Sequence, residues 1–322
     1  MKILVTGCFG FIGSHVCKYL LNRGDTVFGM DIDWNEKMND LVKYPNFILV
    51  RKEDSNIINT NFLASAEIKI DAVCHLAALC GVRHSLTCPE DYFNVNVVGF
   101  THLLDECVKQ GVKRFVFASS SSVYGENSKV PFEETDPLDN VVSPYALTKK
   151  QGEEIAELYS KLHNVTTIGL RFFTVYGPRG RKDMAPYKFM NAILNNGIIT
   201  KFGKGDNTYR DYTYIDDIVD GIVKSIDYSM NQEIGFYEVF NLGSEKPIIL
   251  NDFITACEIV CGKKAEIVEY PPQKGDVKRT YASTDKAQKI LKYRPKFDLE
   301  MGLELYKRSL GKEGSNIASS LS

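Results

Sequence analysis

The chain has 322 residues, 44% of them hydrophobic and 25% charged, with a formal net charge of -2. Those values suit a globular protein with ample core in one large or two modest domains, and they give no electrostatic reason for a nucleic-acid or membrane partner. No run approaches the ~18 uninterrupted apolar residues of a membrane span, and Ile3-Leu4-Val5 before Gly7 is too short an apolar stretch to read as a secretory signal.

Lys2 to Thr6 reads as a strand that runs into Gly7-x-x-Gly10-x-x-Gly13, followed by a helical pattern (His15, Val16, Tyr19, Leu20, Leu21) that stops at Arg23-Gly24. The next apolar run, Thr26 to Met30, ends at Asp31. Strand, glycine turn, helix, strand and terminal acid form a dinucleotide-binding fingerprint. Gly7 and Gly10 let the backbone approach a pyrophosphate, and Gly13 lets helix and strand pack closely. The helix amino terminus, at Phe11 and Ile12, presents N–H groups to the anion. Asp31 can accept hydrogen bonds from both hydroxyls of an adenosine ribose and would repel a 2′-phosphate, which favours NAD over NADP.

Asn46 to Val50 is expected to be a strand with Asp54 just beyond it, and Asp71 to Ala78 another. The small Ala77 and Ala78 would let a flat cofactor lie against the backbone. A helix is expected from about Tyr92 to Gln110, with Asn96 in it. The strand Arg114 to Ala118 then ends in serines, at the carboxyl edge where open α/β sheets bind ligands; Ser120 is the candidate there to hold a reacting hydroxyl. Ser143-Pro144 should start a helix reaching about His163, so that Tyr145 and Lys149 share one face. An ammonium beside a phenol is expected to lower its pKa from ~10 and make it a usable base.

Thr166 to Thr174 supplies another strand, and the recurring strand–helix order implies a doubly wound parallel sheet. Past Gly177-Pro178-Arg179-Gly180-Arg181 the pattern breaks. Tyr209 to Asp217 is expected to open a helical segment, with later helices at Asn251 to Cys261 and Thr284 to Lys292. The expected organisation is a Rossmann-type domain over 1–175, joined by a returning segment near 211–243. A smaller mixed α/β substrate domain covers most of 176–312, and the polar tail 313–322 is flexible. Eight cysteines are scattered without a Cys-x-x-Cys pair, several of them inside apolar runs that suggest buried free thiols in a reducing, cytoplasmic setting, and the five histidines do not cluster as a metal site.

These motifs together resemble the extended short-chain dehydrogenase/reductase family, in particular its nucleotide-sugar epimerases: the glycine turn, His75-Leu76-Ala77-Ala78, Ser119 to Gly125, Tyr145-x-x-x-Lys149, and Arg210-Asp211 through Asp216-Asp217. Arg171 to Pro178 followed by Gly180 to Ala185, Gly81 to Ser85, and Gly275-Asp276-Val277 look most like UDP-glucuronate 4-epimerases. The resemblance implies NAD as cofactor and a UDP-sugar as substrate. It implies Ser120, Tyr145 and Lys149 as the catalytic trio, with Lys149 also on the nicotinamide ribose. It makes Gly7, Gly10, Gly13, Asp31, Asp54 and Asn96 cofactor contacts, Arg210 and Asp276 holders of the diphosphate and uridine ribose, and Thr174 and Arg181 neighbours of the sugar or diphosphate, with Ser121 and Ser122 suited to a loose hold on the sugar. Galactose epimerases carry Asn at the Thr174 position and a second phosphate-binding Arg where Gln273 stands, and Glu53 replaces a glycine that is usual before Asp54. The 4,6-dehydratases place Thr-Asp-Glu where this chain has Ser120-Ser121-Ser122. UDP-glucose or UDP-N-acetylglucosamine epimerisation and UDP-glucuronate decarboxylation remain the alternatives, followed by a 4,6-dehydratase and an idle NAD-binding scaffold. A homodimer formed by the helices beginning near Tyr92 and Ser143 is the implied assembly.

Overall fold

The computed structural model describes residues 1–65, 69–272, 277 and 279–319. In chain order its first half consists of β1 (Lys2–Thr6), α1 (Phe11–Arg23), β2 (Thr26–Met30), α2 (Met38–Leu41), β3 (Phe47–Leu49), α3 (Phe62–Ser65), β4 (Ala72–His75), α4 (Val82–Ser85), α5 (Pro89–Phe93), α6 (Phe100–Lys109), β5 (Arg114–Ser120) and α7 (Pro144–His163). The second half consists of β6 (Thr166–Phe172), β7 (Thr174–Tyr176), α8 (Ala185–Leu194), β8 (Ile198–Phe202), β9 (Tyr209–Tyr214), α9 (Ile215–Met230), β10 (Tyr237–Leu242), β11 (Pro247–Ile249), α10 (Leu250–Cys261), β12 (Glu266–Tyr270), α11 (Asp285–Leu291) and α12 (Leu299–Ser319).

A seven-stranded sheet runs β10-β6-β5-β4-β1-β2-β3, every pair parallel. Strands covered on both faces need apolar side chains on both. Ile3 and Val5 accordingly pack into one core with α1 and α9, and Leu4 into the other with Phe100, Leu103 and Ala156. The order reverses at β1, which lies between β4 and β2. That is the switch point where a crevice opens beyond the strands' carboxyl ends. Beside this sheet, β9 is flanked by β7 and β11, while β8 pairs with β12. Among the described residues no helix is long and apolar enough to cross a membrane.

Several elements differ from the expectations. The strand through Asp71 stops at His75: the Leu76 N–H still reaches the Thr6 carbonyl, but the Ala77 N–H turns onto the Thr6 hydroxyl at 3.2 Å instead of a strand carbonyl. The helix expected from Tyr92 begins at Pro89 and passes through a π-helical turn, Asn94–Gly99, before α6. Tyr209 to Tyr214 is a strand, and helix begins only at Ile215; backbone bonds to β7 and β11 outweigh the apolar spacing. Helix α12 runs through Ser319, and 320–322 lie outside the described residues. Of the eight cysteines six are buried, but Cys80 is exposed and Cys88 half-buried.

Candidate active site

The glycine turn is built to keep its backbone bare. Gly7 has φ of +70°, and a Cβ on it would stand 2.8 Å from the Ala77 nitrogen; one on Gly13 would stand 2.0 Å from the Gly7 oxygen. Gly10 caps α1 with no side-chain bond, and no acid stands in the first turn, so the leading N–H groups at Phe11 and Ile12 are left for an anion. Asp31 follows β2 at the same edge. Its Oδ2 accepts from the Phe9 N–H at 2.8 Å and its Oδ1 from the Asp33 N–H at 3.0 Å. Burial raises its pKa against these bonds. These features fit a dinucleotide: small residues leave room for its pyrophosphate, and a half-buried carboxylate can meet its ribose.

Other expected cofactor residues border the same edge. Asp54 ends a 3₁₀ turn whose carbonyl accepts from the Thr60 hydroxyl at 2.7 Å, and its side chain is partly exposed. Ala77 and Ala78 are half-buried just past β4. Asn96 also bonds within the protein. Its Oδ1 accepts from the Leu79 N–H at 2.8 Å, while its Nδ2 donates to the Leu79 carbonyl at 2.9 Å and to Thr148 Oγ1 at 3.1 Å. That amide staples the loop after β4 to α7.

Ser120 ends β5, is 7% exposed, and accepts the Ser122 N–H at 3.1 Å. Helix α7 starts opposite it because Ser143 Oγ caps the Ala146 N–H at 3.1 Å and Pro144 fills the first turn. Tyr145 and Lys149 then point back at the strand end. Lys149 Nζ donates to the Ala118 carbonyl at 2.8 Å and lies 6.0 Å from the Tyr145 ring centre. Burial drives their pKa values toward the neutral forms: Tyr145 is pushed up to about 12, and Lys149 down to about 8. A hydrogen bond with Ser120 and the charge of Arg181 pull Tyr145 the other way. The expectation of a phenol lowered by Lys149 is therefore reversed by burial among the protein's own groups.

The remaining expected residues lie on other segments. Ser121 and Ser122 form the turn after Ser120, and Thr174 opens β7, all half-buried. Arg181 pairs with Asp183 through Nε at 3.0 Å and Nη2 at 2.6 Å, and its Nη2 donates to the Cys80 carbonyl at 3.4 Å. Arg210 on β9 donates to the Tyr209 carbonyl at 2.8 Å. Asp276, like Gln273, Lys274 and Gly275, lies outside the described residues. The acids beside Arg210 are structural: Asp211 accepts from Ser244, Glu245 and Ala282, and Asp217 from Lys296 and Phe297. One wall residue escaped the sequence reading. Tyr92 packs edge-on against Tyr145, and its hydroxyl donates to the Cys80 and Gly81 carbonyls at 3.1 and 3.0 Å. Only its aromatic character near a helix start could have flagged it.

A parallel sheet of this order, with its glycine turn, acid and tyrosine–lysine helix along one edge, defines a Rossmann-type dinucleotide-binding protein. The NAD dependent epimerase/dehydratase family matches residues 3–243, and the chain belongs to that family. It is 39% identical to UDP-glucuronate 4-epimerase 3 of Arabidopsis thaliana, over 95% of this chain and 76% of that one. With Protein CapI of Staphylococcus aureus it shares 37% identity over 95% and 97% of the two chains. The structure of UDP-glucuronic acid 4-epimerase from Bacillus cereus, in complex with UDP-glucuronic acid and NAD, superposes with a TM-score of 0.89 at 35% identity, covering 97% of this chain and all of that one.

Proposed function

We propose that the chain is an NAD-dependent UDP-sugar 4-epimerase that interconverts UDP-glucuronate and UDP-galacturonate through a transient 4-keto sugar. The observation that carries this is the convergence of Ser120, Tyr145 and Lys149 at the sheet edge that also bears the glycine turn; the likeness to UDP-glucuronate epimerases supports the substrate. Gly7, Gly10, Phe11, Ile12, Gly13, Asp31, Asp54, Ala77, Ala78 and Asn96 would hold the cofactor, Asn96 from beside the loop that its amide fixes. When bound, NAD supplies reversible hydride storage at the sugar C4.

The protein's part is proton handling and grip. Tyr145 takes the proton of the sugar 4-hydroxyl and later returns it, Ser120 orients that oxygen, and Lys149 supplies the positive charge that favours the phenolate. Inversion requires the keto sugar to turn over, so UDP must be held firmly and the ring loosely. Arg210 and Asp276 are assigned the diphosphate and uridine ribose, Ser121, Ser122 and Thr174 the ring substituents, and Arg181 the region between. A 4-keto glucuronate is a β-keto acid and loses carbon dioxide when its carboxylate stands perpendicular to the carbonyl plane. Hydrogen bonds from Ser121 and Thr174 would keep the carboxylate near that plane.

A cytoplasmic homodimer built on the helices over 89–109 and 144–163 accords with exposed Val98, Leu158 and Leu162 on them and with the buried free cysteines. The organisation in two parts, 1–175 with the returning 211–243 and most of 176–312, belongs to the same proposal. Incubation with UDP-glucuronate, and separately with UDP-glucose, followed by NMR of the products tests the substrate. UDP-galacturonate is the expected product; UDP-xylose or a 4-keto-6-deoxy sugar would overturn the assignment.

A further inference from the structure

Directly behind the serine turn lies a charge pair that none of the proposed steps uses. Arg171 on β6 grips Glu153 on α7 with two bonds, Nε to Oε1 at 2.9 Å and Nη2 to Oε2 at 2.7 Å, and the two side chains are 4% and 5% exposed. Glu153 Oε1 also accepts from Ser119 Oγ at 2.5 Å. The other arm of the guanidinium, Nη1, donates to the Tyr124 hydroxyl at 2.9 Å and to the Glu134 carbonyl at 3.2 Å. Tyr124 passes the connection on, donating at 2.7 Å to Asn241 Oδ1 on β10.

We infer that the Glu153–Arg171 pair is a positioning device for the reaction: it fixes the segment from Ser119 to Tyr124, which carries Ser120, Ser121 and Ser122, against the face of α7 that carries Tyr145 and Lys149. The inference rests on the function proposed above for what those residues do. Its logic is register. Tyr145, Lys149 and Glu153 recur every four residues along one helix face. Lys149 reaches the carbonyl of Ala118, Glu153 reaches the hydroxyl of Ser119, and Tyr145 meets Ser120. Three successive helical turns are thus tied to three successive residues of one strand end. Arg171 closes the arrangement from behind and, through Tyr124, pins the far end of the serine turn. Apolar side chains of similar volume would serve stability as well as a buried ion pair does. What they cannot supply is a set of directed bonds to four elements at once.

Ser119→Ala removes one bond and leaves the ion pair paired, and Tyr124→Phe removes only the hydroxyl shared by Arg171 and Asn241. Each is expected to keep one cooperative melt, lowered by about a few degrees where a buried partner is lost, to lose at least about fivefold in kcat at unchanged KM, and to exchange the backbone amides of 119–124 faster while the rest of the sheet stays protected. Ser119→Thr, which keeps the hydroxyl, should restore both properties. A kcat within fivefold of wild type in both variants, or unchanged exchange over 119–124 in both, overturns the inference. Should the wild type turn over no UDP-sugar, the proposed function falls and the exchange measurement alone decides the positioning role.

Discussion

Tyr145 and Lys149 face opposite demands, since the chemistry needs one as a base and the other as a cation, while burial pushes Tyr145 up to about 12 and Lys149 down to about 8. The form the chemistry needs, Tyr145 ionised beside a charged Lys149, holds one proton fewer than the fully protonated pair, and the pair gives up its first proton near 8, where Lys149 titrates. The competent form has lost that proton, so activity falls as pH drops. The expected kcat/KM profile loses about tenfold per pH unit below the limb and levels above it. Cys80 from the loop after β4 and Glu153 from α7 both raise the Lys149 value, and so hold the limb higher than burial alone would. Lys149→Met removes the cation, which should lower the rate at neutral pH by about 100-fold or more and move the limb upward. Steady-state profiles of both proteins check this, and a wild-type profile flat between pH 6 and pH 8 would remove the pair as the titrating base.

At the scale of elements, the glycine turn is legible because its requirements are steric and local. A Cβ at Gly13 would stand 2.0 Å from the Gly7 oxygen, a backbone atom that cannot rotate away, so α1 must slide outward to accept one. Gly13→Ala is therefore expected to lower the melting temperature and weaken NAD binding by about tenfold or more. Calorimetric titration with NAD measures it; wild-type affinity would show that the turn tolerates the shift. The serine strand and the tyrosine helix are legible for the same local reason, a run of apolar residues and an N-terminal cap. The strand Tyr209–Tyr214 is not, because what makes it a strand is pairing with β7 and β11, segments far away in sequence. Strand β12 is exposed at all five positions and pairs with β8, so no alternation marks it. Asn96 shows the same limit at a site: a motif identifies the residue, but only the fold reveals that its amide is committed to Leu79 and Thr148.

Taken whole, the molecule closes the core of its first half with residues from its second. The edge strand β10 comes from residues 237–242, yet it pairs along six positions of β6, and α9 packs against α1 and the β5–β6 pair. One continuous core joins Ile3 and Val16 to Ile218, Ile222 and Phe253. The Arg171 guanidinium sits in the same junction, reaching β10 through Tyr124 and Asn241. A fragment of residues 1–175 would contain the glycine turn, Ser120, Tyr145 and Lys149, but would leave the face beneath α9 and the edge of β6 open to water. Such edges and apolar faces are poorly tolerated. The fragment is therefore expected to melt without a cooperative transition and to bind NAD far more weakly than the full chain, whereas adding residues 209–243 through a linker should recover a transition. Near-ultraviolet circular dichroism followed through a thermal ramp distinguishes the two. A sharp melt of the short fragment would mean that the nucleotide-binding half closes its own core, and that the returning strand and helix are there for the substrate side.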